Sequence, residues 1–181
     1  MYGMVNKALE EMVCARLGDA VWEEIKTRAG VDVDVFVSND PYPDEMSFGL
    51  VTAAAEVTGL PAQALLEDFG RHWILCTARE GYGELLDACG DTLPEFLSNL
   101  PSFHTRIAMI FPKLQPPIFE CTDLTEHSVR LHYRTHRSGL TAFLVGLLHG
   151  LGARFDTELS VTLEQSRDAG ADHDVFLLAW P

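Results

Sequence analysis

Seven residues in the C-terminal half of the chain could bind a ligand that carries two carboxylates. They read Leu131-His132-Tyr133-Arg134-Thr135-His136-Arg137. Alternate side chains of an extended strand point to the same face, so Tyr133, Thr135 and Arg137 would share one face over roughly 13 Å, at ~3.3 Å per residue. Arg137 would pair with a carboxylate through two hydrogen bonds, and the two hydroxyls would add neutral ones. The spacing suits a rigid dicarboxylate such as the propionate edge of haem, unless the alternation is an accident of a solvated edge strand.

A histidine lies about thirty residues earlier, on the apolar stripe of a predicted helix. His104 falls between Leu100 and Ile107, at a position where the pattern calls for a core side chain. Burying an imidazole without a partner costs roughly 1 to 3 kcal/mol, so His104 needs either a hydrogen bond or a metal. By itself the pattern leaves both readings open. The stripe consists of Leu93, Leu97, Leu100, Ile107 and Phe111.

Several stretches of the chain together resemble one family, the H-NOX (haem nitric oxide/oxygen binding) domain, which also forms the haem domain of soluble guanylate cyclase. The strand motif of that family is usually Y-x-S-x-R, and Thr135 keeps the hydroxyl of its middle position. The resemblance runs nearly end to end and rests on these stretches: Met1 to Leu9, Gly81-Tyr82-Gly83, Asn99-Leu100 to His104, Pro116-Pro117, Phe119 to Cys121, Tyr133 to Leu140, and Gly146-Leu147-Leu148.

The resemblance implies a role for particular residues around a noncovalent haem b. His104 would be the axial iron ligand, Tyr133, Thr135 and Arg137 would bind the propionates, and Pro117 would press on the haem and keep it bent. In the family, dioxygen binders carry a distal tyrosine three residues before the glycine that corresponds to Gly146, and this chain has Phe143 there. The rest of the distal lining is expected to be apolar, with the Trp73 ring over the porphyrin; the alternative is that its indole N–H faces the iron and donates a hydrogen bond. The other expected lining residues are Val5, Leu9, Leu144 and Leu147.

Composition narrows the class of protein. The 181 residues carry 13 Lys+Arg against 27 Asp+Glu, a formal charge of -14 that repels phosphate backbones and anionic membranes. We therefore expect neither nucleic acid nor a membrane as partner. Four scattered cysteines have no zinc, redox or covalent-haem spacing. With no signal peptide or transmembrane run, the sequence predicts a cytoplasmic protein.

The order of predicted elements is helices first, then mostly antiparallel strands with one helix inserted. We expect an α+β fold in which an N-terminal helical subdomain packs on a C-terminal antiparallel sheet with helices, with haem between them, all in a single domain over residues 1–181. The predicted helices cover 2–17, 19–29, 46–58, 61–78, 93–97, 101–111 and 140–155, and the predicted strands cover 117–124, 128–136, 157–165 and 173–179. The remaining histidines are expected at the surface.

The function that the resemblance implies is gas sensing, not catalysis. Phe143 offers no hydroxyl to stabilise iron-bound dioxygen, so the chain is expected to bind nitric oxide and carbon monoxide, exclude dioxygen, and signal through release of His104. Since the chain ends at Pro181 with no output segment, we expect the effector to be another polypeptide, such as a histidine kinase or diguanylate cyclase, or a part removed from this one. A haem enzyme of peroxide or nitrite chemistry, and a haem-independent dicarboxylate binder, are the alternatives.

Overall fold

The computed structural model describes all residues, 1–181, and the chain divides into two compact units, Met1–Phe69 and Gly70–Pro181. Helices come first and a four-stranded antiparallel sheet follows, as the α+β prediction required. The helices are α1 (Gly3–Leu17), α2 (Asp19–Ala29), α3 (Asp44–Thr58), α4 (Ala62–His72), α5 (Ala78–Asp87), α6 (Leu93–Ile110) and α7 (Thr141–Arg154). The strands are β1 (Ile118–Thr122), β2 (Ser128–Arg134), β3 (Ser160–Gln165) and β4 (Asp174–Ala179).

The first unit is helical and closes around apolar side chains of α1, α2 and α3. Leu9, Met12 and Trp22 are buried there, and a buried hydrogen bond of 2.6 Å joins the Ser47 hydroxyl to the Asn6 side-chain oxygen. Gly3 is needed for close approach, since a Cβ at this position would collide with the carbonyl of Val37. These contacts fix the orientation of α1, which carries the predicted lining residues Val5 and Leu9.

The second unit contains the sheet, in the order β1-β2-β4-β3, and a core of leucine and aromatic side chains. Antiparallel register places Phe119, Tyr133 and Asp174 side by side across three strands. Such partners lie on the same face of a sheet, here the face that packs on the core. The candidate functional site includes this row of three side chains.

The boundaries of the helices predicted over 61–78, 93–97 and 101–111 were wrong. The helix predicted over 61–78 continues through a π-helical turn, Trp73–Thr77, into α5, and kinks at Tyr82, where φ is -142°. The two helices predicted at 93–97 and 101–111 are the single helix α6, with Pro101 in its interior. Pro101 has no N–H to give to the carbonyl of Leu97, but the Cys121 thiol donates to that oxygen at 3.4 Å. A neighbouring strand therefore supplies the hydrogen bond that the proline removes.

No single helix is long and apolar enough to cross a membrane, and the bent pair Asp44–Thr58 and Ala62–Asp87 has that length and composition only when its members are counted together.

Candidate functional site

His104 lies on the predicted stripe of α6, and its ring has a defined protonation state. Its Nδ1 lies 3.0 Å from the carbonyl oxygen of Leu100, so Nδ1 carries the proton and donates it. The other ring nitrogen, Nε2, then keeps its lone pair and has no hydrogen-bond partner in the chain. Burial lowers the pKa of His104, and the hydrogen bond to the Leu100 carbonyl offsets this only in part. The result is a neutral imidazole with a free Nε2, the form that binds a metal.

The helix that carries His104, α6, is fixed by hydrogen bonds at its N-terminus and at Leu97. Thr92 caps the N-terminus by accepting a hydrogen bond from the backbone N–H of Glu95, whose carboxylate accepts in turn from the N–H of Asp91 at 3.0 Å. About one and a half turns further on, at 3.6 residues per turn, the Cys121 thiol donates to the Leu97 carbonyl. Burial raises the pKa of this thiol, so it stays protonated and can donate. The position of His104 therefore depends on β1 as well as on its own helix.

Phe119 connects His104 to the predicted anion site. The ring centroids of His104 and Phe119 are 5.0 Å apart, and those of Phe119 and Tyr133 are 5.3 Å apart. Pro117, half-buried, comes two residues before Phe119. The Phe119 ring thus contacts both the imidazole of His104 and the phenol of Tyr133. Sequence reasoning did not assign Phe119 a role, although the pairing of β1 with β2 in register would have revealed it.

The three predicted anion donors come together, but the strand does not carry all of them. β2 ends at Arg134, and Thr135 and Arg137 lie in the irregular segment after it, so the prediction of one continuous strand face was wrong. Tyr133, Thr135 and Arg137 nevertheless line one small pocket in front of the N-terminus of α7. The Thr135 hydroxyl accepts a hydrogen bond from the backbone N–H of Arg137 at 3.2 Å. A local turn, instead of strand pleating, converges the three side chains.

The pocket contains hydrogen-bond donors that suit an anion, together with two carboxylates, those of Asp168 and Asp174. Burial raises the pKa of Tyr133, so its phenol stays protonated at neutral pH and acts as a donor. The Arg137 guanidinium donates to the carbonyl of Gln115 at 3.1 Å, which ties the pocket to the segment before Pro116-Pro117. The pocket thus contains a permanently charged guanidinium and neutral hydroxyl donors, the groups that suit a carboxylate.

The predicted distal residues occupy α7 and the π-helical turn. The Trp73 and Phe143 rings meet edge to face at a centroid distance of 6.5 Å. A Cβ at Gly70 would collide with the Phe143 carbonyl and lie 2.6 Å from the Leu147 nitrogen, so this glycine permits the backbone at position 70 to approach α7 closely. Phe143 and Leu147 are half-buried, whereas Leu144 is buried in the core of the second unit. Within the first unit, Val5 is half-buried and Leu9 is buried. Their role in lining a gas pocket stays a prediction.

Two of the histidines expected at the surface are bonded to each other. His132 Nδ1 lies 2.9 Å from His173 Nε2, and His173 Nδ1 lies 3.0 Å from the Asp172 carboxylate. His173 is buried, so the prediction of a surface residue was wrong for it. The two rings are 41 residues apart in sequence, and only the pairing of β2 with β4 brings them together. No group of three or more metal-ligating side chains is formed by histidine, cysteine or acidic residues.

The state of the His104 ring makes stability dependent on pH. In the folded chain the pKa of His104 lies below its ordinary value of 6.5, so the unfolded chain binds a proton more readily. We expect the haem-free protein to lose stability as the pH falls from above 6.5 toward the folded-state value, because protons then favour the unfolded state. Denaturant unfolding at pH values on both sides of this window measures the effect. In His104→Gln the decline should shrink, whereas in the exposed control His127→Gln it should persist. An unchanged decline in His104→Gln would contradict the assignment.

The residues present fit a haem group. A neutral ring nitrogen with a free lone pair is available to an iron ion, and a guanidinium and two hydroxyls are available to propionates in the pocket that Tyr133 lines. Haem iron is commonly held by a single proximal histidine, and neighbouring hydrogen bonds orient that ligand. The chain supplies both features, the histidine as His104 and the orienting hydrogen bond to the backbone carbonyl of Leu100.

Known proteins are similar to this chain over nearly its whole length. The family model described as Haem-NO-binding matches residues 2–163. Soluble guanylate cyclase gcy-31 of Caenorhabditis elegans is 28% identical over 180 residues, which cover 98% of this chain and 26% of that protein. Soluble guanylate cyclase gcy-35 of the same organism is also 28% identical, over 190 residues, with 98% and 27% covered. The chain thus spans about a quarter of the length of these relatives.

The fold matches solved structures over its whole length. The H-NOX protein from S. oneidensis in the Fe(II)NO ligation state superimposes with a TM-score of 0.91 at 22% identity, covering 100% of this chain and 99% of that one. The Fe(II) unliganded H-NOX protein from K. algicida gives a TM-score of 0.87 at 20% identity, with 100% and 97% covered.

Proposed function

Since the chain belongs to the haem-NO-binding, or H-NOX, family of haem-based gas-sensor domains, we propose that it senses nitric oxide and carbon monoxide while excluding dioxygen. His104 would hold the iron of a noncovalent haem b through Nε2, and Tyr133, Thr135 and Arg137 would bind its propionates. When bound, the haem supplies a ferrous iron that coordinates diatomic gases. The observation that carries this proposal is the His104 ring, neutral and with Nε2 free, next to the Phe119-Tyr133 pair.

Gas selectivity is assigned to the side chain of Phe143. A hydroxyl at this position would donate to a ligand that carries partial negative charge, which dioxygen does and nitric oxide does much less. Phe143 contributes only a hydrocarbon ring, packed against Trp73. Val5, Leu9, Leu144 and Leu147 would make the remaining lining apolar.

Signal output is assigned to α6. On nitric oxide binding, His104 would leave the iron, and its helix would be free to shift relative to the sheet. Two contacts oppose such a shift: the His104-Phe119 ring contact and the Cys121-Leu97 hydrogen bond. Pro117 would press on the haem from the segment that Arg137 anchors at Gln115. A separate signalling protein, such as a histidine kinase or diguanylate cyclase, would respond to the change.

The proposed compartment is the cytoplasm, where reducing conditions keep thiols free. All four cysteines, Cys14, Cys76, Cys89 and Cys121, are unpaired.

The absorption spectrum of the purified ferrous protein, before and after addition of carbon monoxide, tests whether haem is present. A Soret band that shifts with carbon monoxide is expected. If no Soret band appears after expression with sufficient haem, the chain is a haem-independent binder of another dicarboxylate. Peroxide turnover at enzyme-like rates would instead indicate a haem enzyme and overturn the sensor proposal.

We expect Arg137 to contribute more to haem retention than Thr135 does. A guanidinium stays charged and pairs with a carboxylate through two hydrogen bonds, so Arg137→Ala should weaken haem binding about 10- to 100-fold, against roughly 2- to 10-fold for Thr135→Ala. Transfer of haem to excess apomyoglobin measures the loss.

Arg134→Ala is the matched control, since Arg134 is on the same strand but points to the opposite face from Tyr133. It should retain haem like the unmodified protein. A larger loss in Thr135→Ala than in Arg137→Ala would reverse the ranking, and wild-type retention in both would remove the motif from the site.

A further inference from the structure

A second arginine lines the pocket of Tyr133, Thr135 and Arg137, and it comes thirty residues later in the chain. We propose that Arg167 is part of the carboxylate-binding site, where it positions the Thr135–Arg137 segment and adds a second positive charge for the ligand's carboxylates. This inference rests on the proposed haem function. It identifies a positioning residue that lies outside the Tyr-x-Thr-x-Arg motif.

The first support is the way Arg167 holds the motif's backbone. Its Nη1 donates to the carbonyl oxygen of Thr135 at 2.7 Å and to that of Arg137 at 3.2 Å. These carbonyls flank His136 in the segment that follows β2 and belongs to no regular element. One planar guanidinium therefore supplies the hydrogen bonds that strand pairing does not provide here, and it fixes the direction in which the Thr135 and Arg137 side chains leave the backbone.

The second support is a buried carboxylate that fixes Arg167 in turn. Asp174 is only 5% exposed and is the register partner of Tyr133. One of its oxygens accepts from the backbone N–H of Arg167 at 2.7 Å, and the other accepts from the Thr141 hydroxyl at 3.0 Å. Asp174 thus anchors both the short 3-10 helix Arg167–Ala169 and the first residue of α7. Burying a carboxylate is unfavourable unless it is hydrogen-bonded, and the two hydrogen bonds that compensate Asp174 are the ones that hold Arg167 and Thr141 in place.

The third support is the charge balance of the pocket. Asp174 lines the pocket with a negative charge, which would repel an incoming carboxylate. Its field raises the pKa of Tyr133, and the fields of Arg137 and Arg167 lower it, so all three charges act on the same phenol. With Arg137 alone, one cation would face two carboxylates, because Asp168 also lines the pocket. Arg167 supplies the second cation, which balances the formal charge of the lining and lowers the repulsion of an incoming dicarboxylate.

The test separates binding through carboxylates from a general effect on folding. We would load the full chain and its variants with either protohaem or protohaem dimethyl ester, in which the propionates are esterified and uncharged. The rate of loss of each to apomyoglobin is then measured. Arg167→Ala should release protohaem roughly three- to tenfold faster, because it removes both backbone hydrogen bonds and a charge. Release of the dimethyl ester should change by less than about twofold, since the ester offers no charge to position.

Two further variants sharpen the result. Arg167→Lys keeps the charge and can still donate to a carbonyl, so it should restore most of the protohaem retention. Arg134→Ala removes the same charge from β2 but on the other face, and it should affect neither haem.

Equal acceleration for protohaem and its ester in Arg167→Ala would mean a merely structural role and overturn the inference. So would protohaem retention in Arg167→Ala equal to that of Arg134→Ala. If either result occurs while the unmodified protein binds haem and nitric oxide, only the inference about Arg167 fails. If the unmodified protein binds no haem, the proposed function and this inference fail together.

Discussion

Replacing His104 with glycine should remove the protein-derived iron ligand and weaken haem binding by at least about 100-fold, since even the loss of a residue that orients a metal ligand costs up to that much. The His104 ring carries a free Nε2 lone pair and contacts Phe119, which in turn contacts Tyr133. Added imidazole should diffuse into the space that the side chain vacates and restore a ligated spectrum. Absorption spectra of His104→Gly with and without imidazole measure both effects.

His127→Gly is the matched control, because His127 is an exposed histidine between β1 and β2. It should bind haem normally and be indifferent to imidazole. If His104→Gly kept the spectrum and haem affinity of the unmodified protein, the metal would have another ligand.

Phe143→Tyr is the single change most expected to introduce dioxygen affinity. The unmodified ferrous protein should form no stable dioxygen complex in air. A phenol at position 143 would add one hydrogen bond to a partially charged ligand, which corresponds to an increase of about 10- to 100-fold in dioxygen affinity. Affinity for nitric oxide should change little, because that ligand gains much less from a donor. Dioxygen titration of both proteins, monitored by absorption, measures the difference.

Phe155→Tyr adds the same hydroxyl just beyond the C-terminus of α7 and serves as the matched control, with no gain expected. A persistent dioxygen complex in the unmodified protein would mean that Trp73 or another group already donates. In that case Phe143→Tyr should add little.

The sequence singled out three residues that lie together, but it did not predict the backbone geometry that brings them together. Tyr133, Thr135 and Arg137 do share a pocket, but strand alternation explains only Tyr133. Pairing of β1 with β2 begins at Ile118 opposite Arg134, and one step further would set Thr135 against Pro117, which has no N–H for the ladder. Strand β2 therefore ends before Thr135 and Arg137. A local turn and hydrogen bonds from Arg167 hold that segment instead.

The missed residues are those whose roles arise from long-range contacts. Pro101 suggested a helix boundary, and nothing local indicated that the Cys121 thiol would serve the Leu97 carbonyl across 24 residues. Arg167 and Asp174 meet the motif only through β2-β4 pairing. His104, by contrast, could be singled out from its helical stripe, because one polar residue in an apolar pattern is a local signal.

The electron paramagnetic resonance spectrum of the ferrous protein with nitric oxide tests the proposed sensing step most directly. If His104 leaves the iron when nitric oxide binds, the hyperfine structure should come from the nitrosyl nitrogen alone, in the unmodified protein as in His104→Gly. Additional splitting from an imidazole nitrogen in the unmodified protein, lost in His104→Gly, would show that His104 stays bound and would contradict release of α6 as the signal.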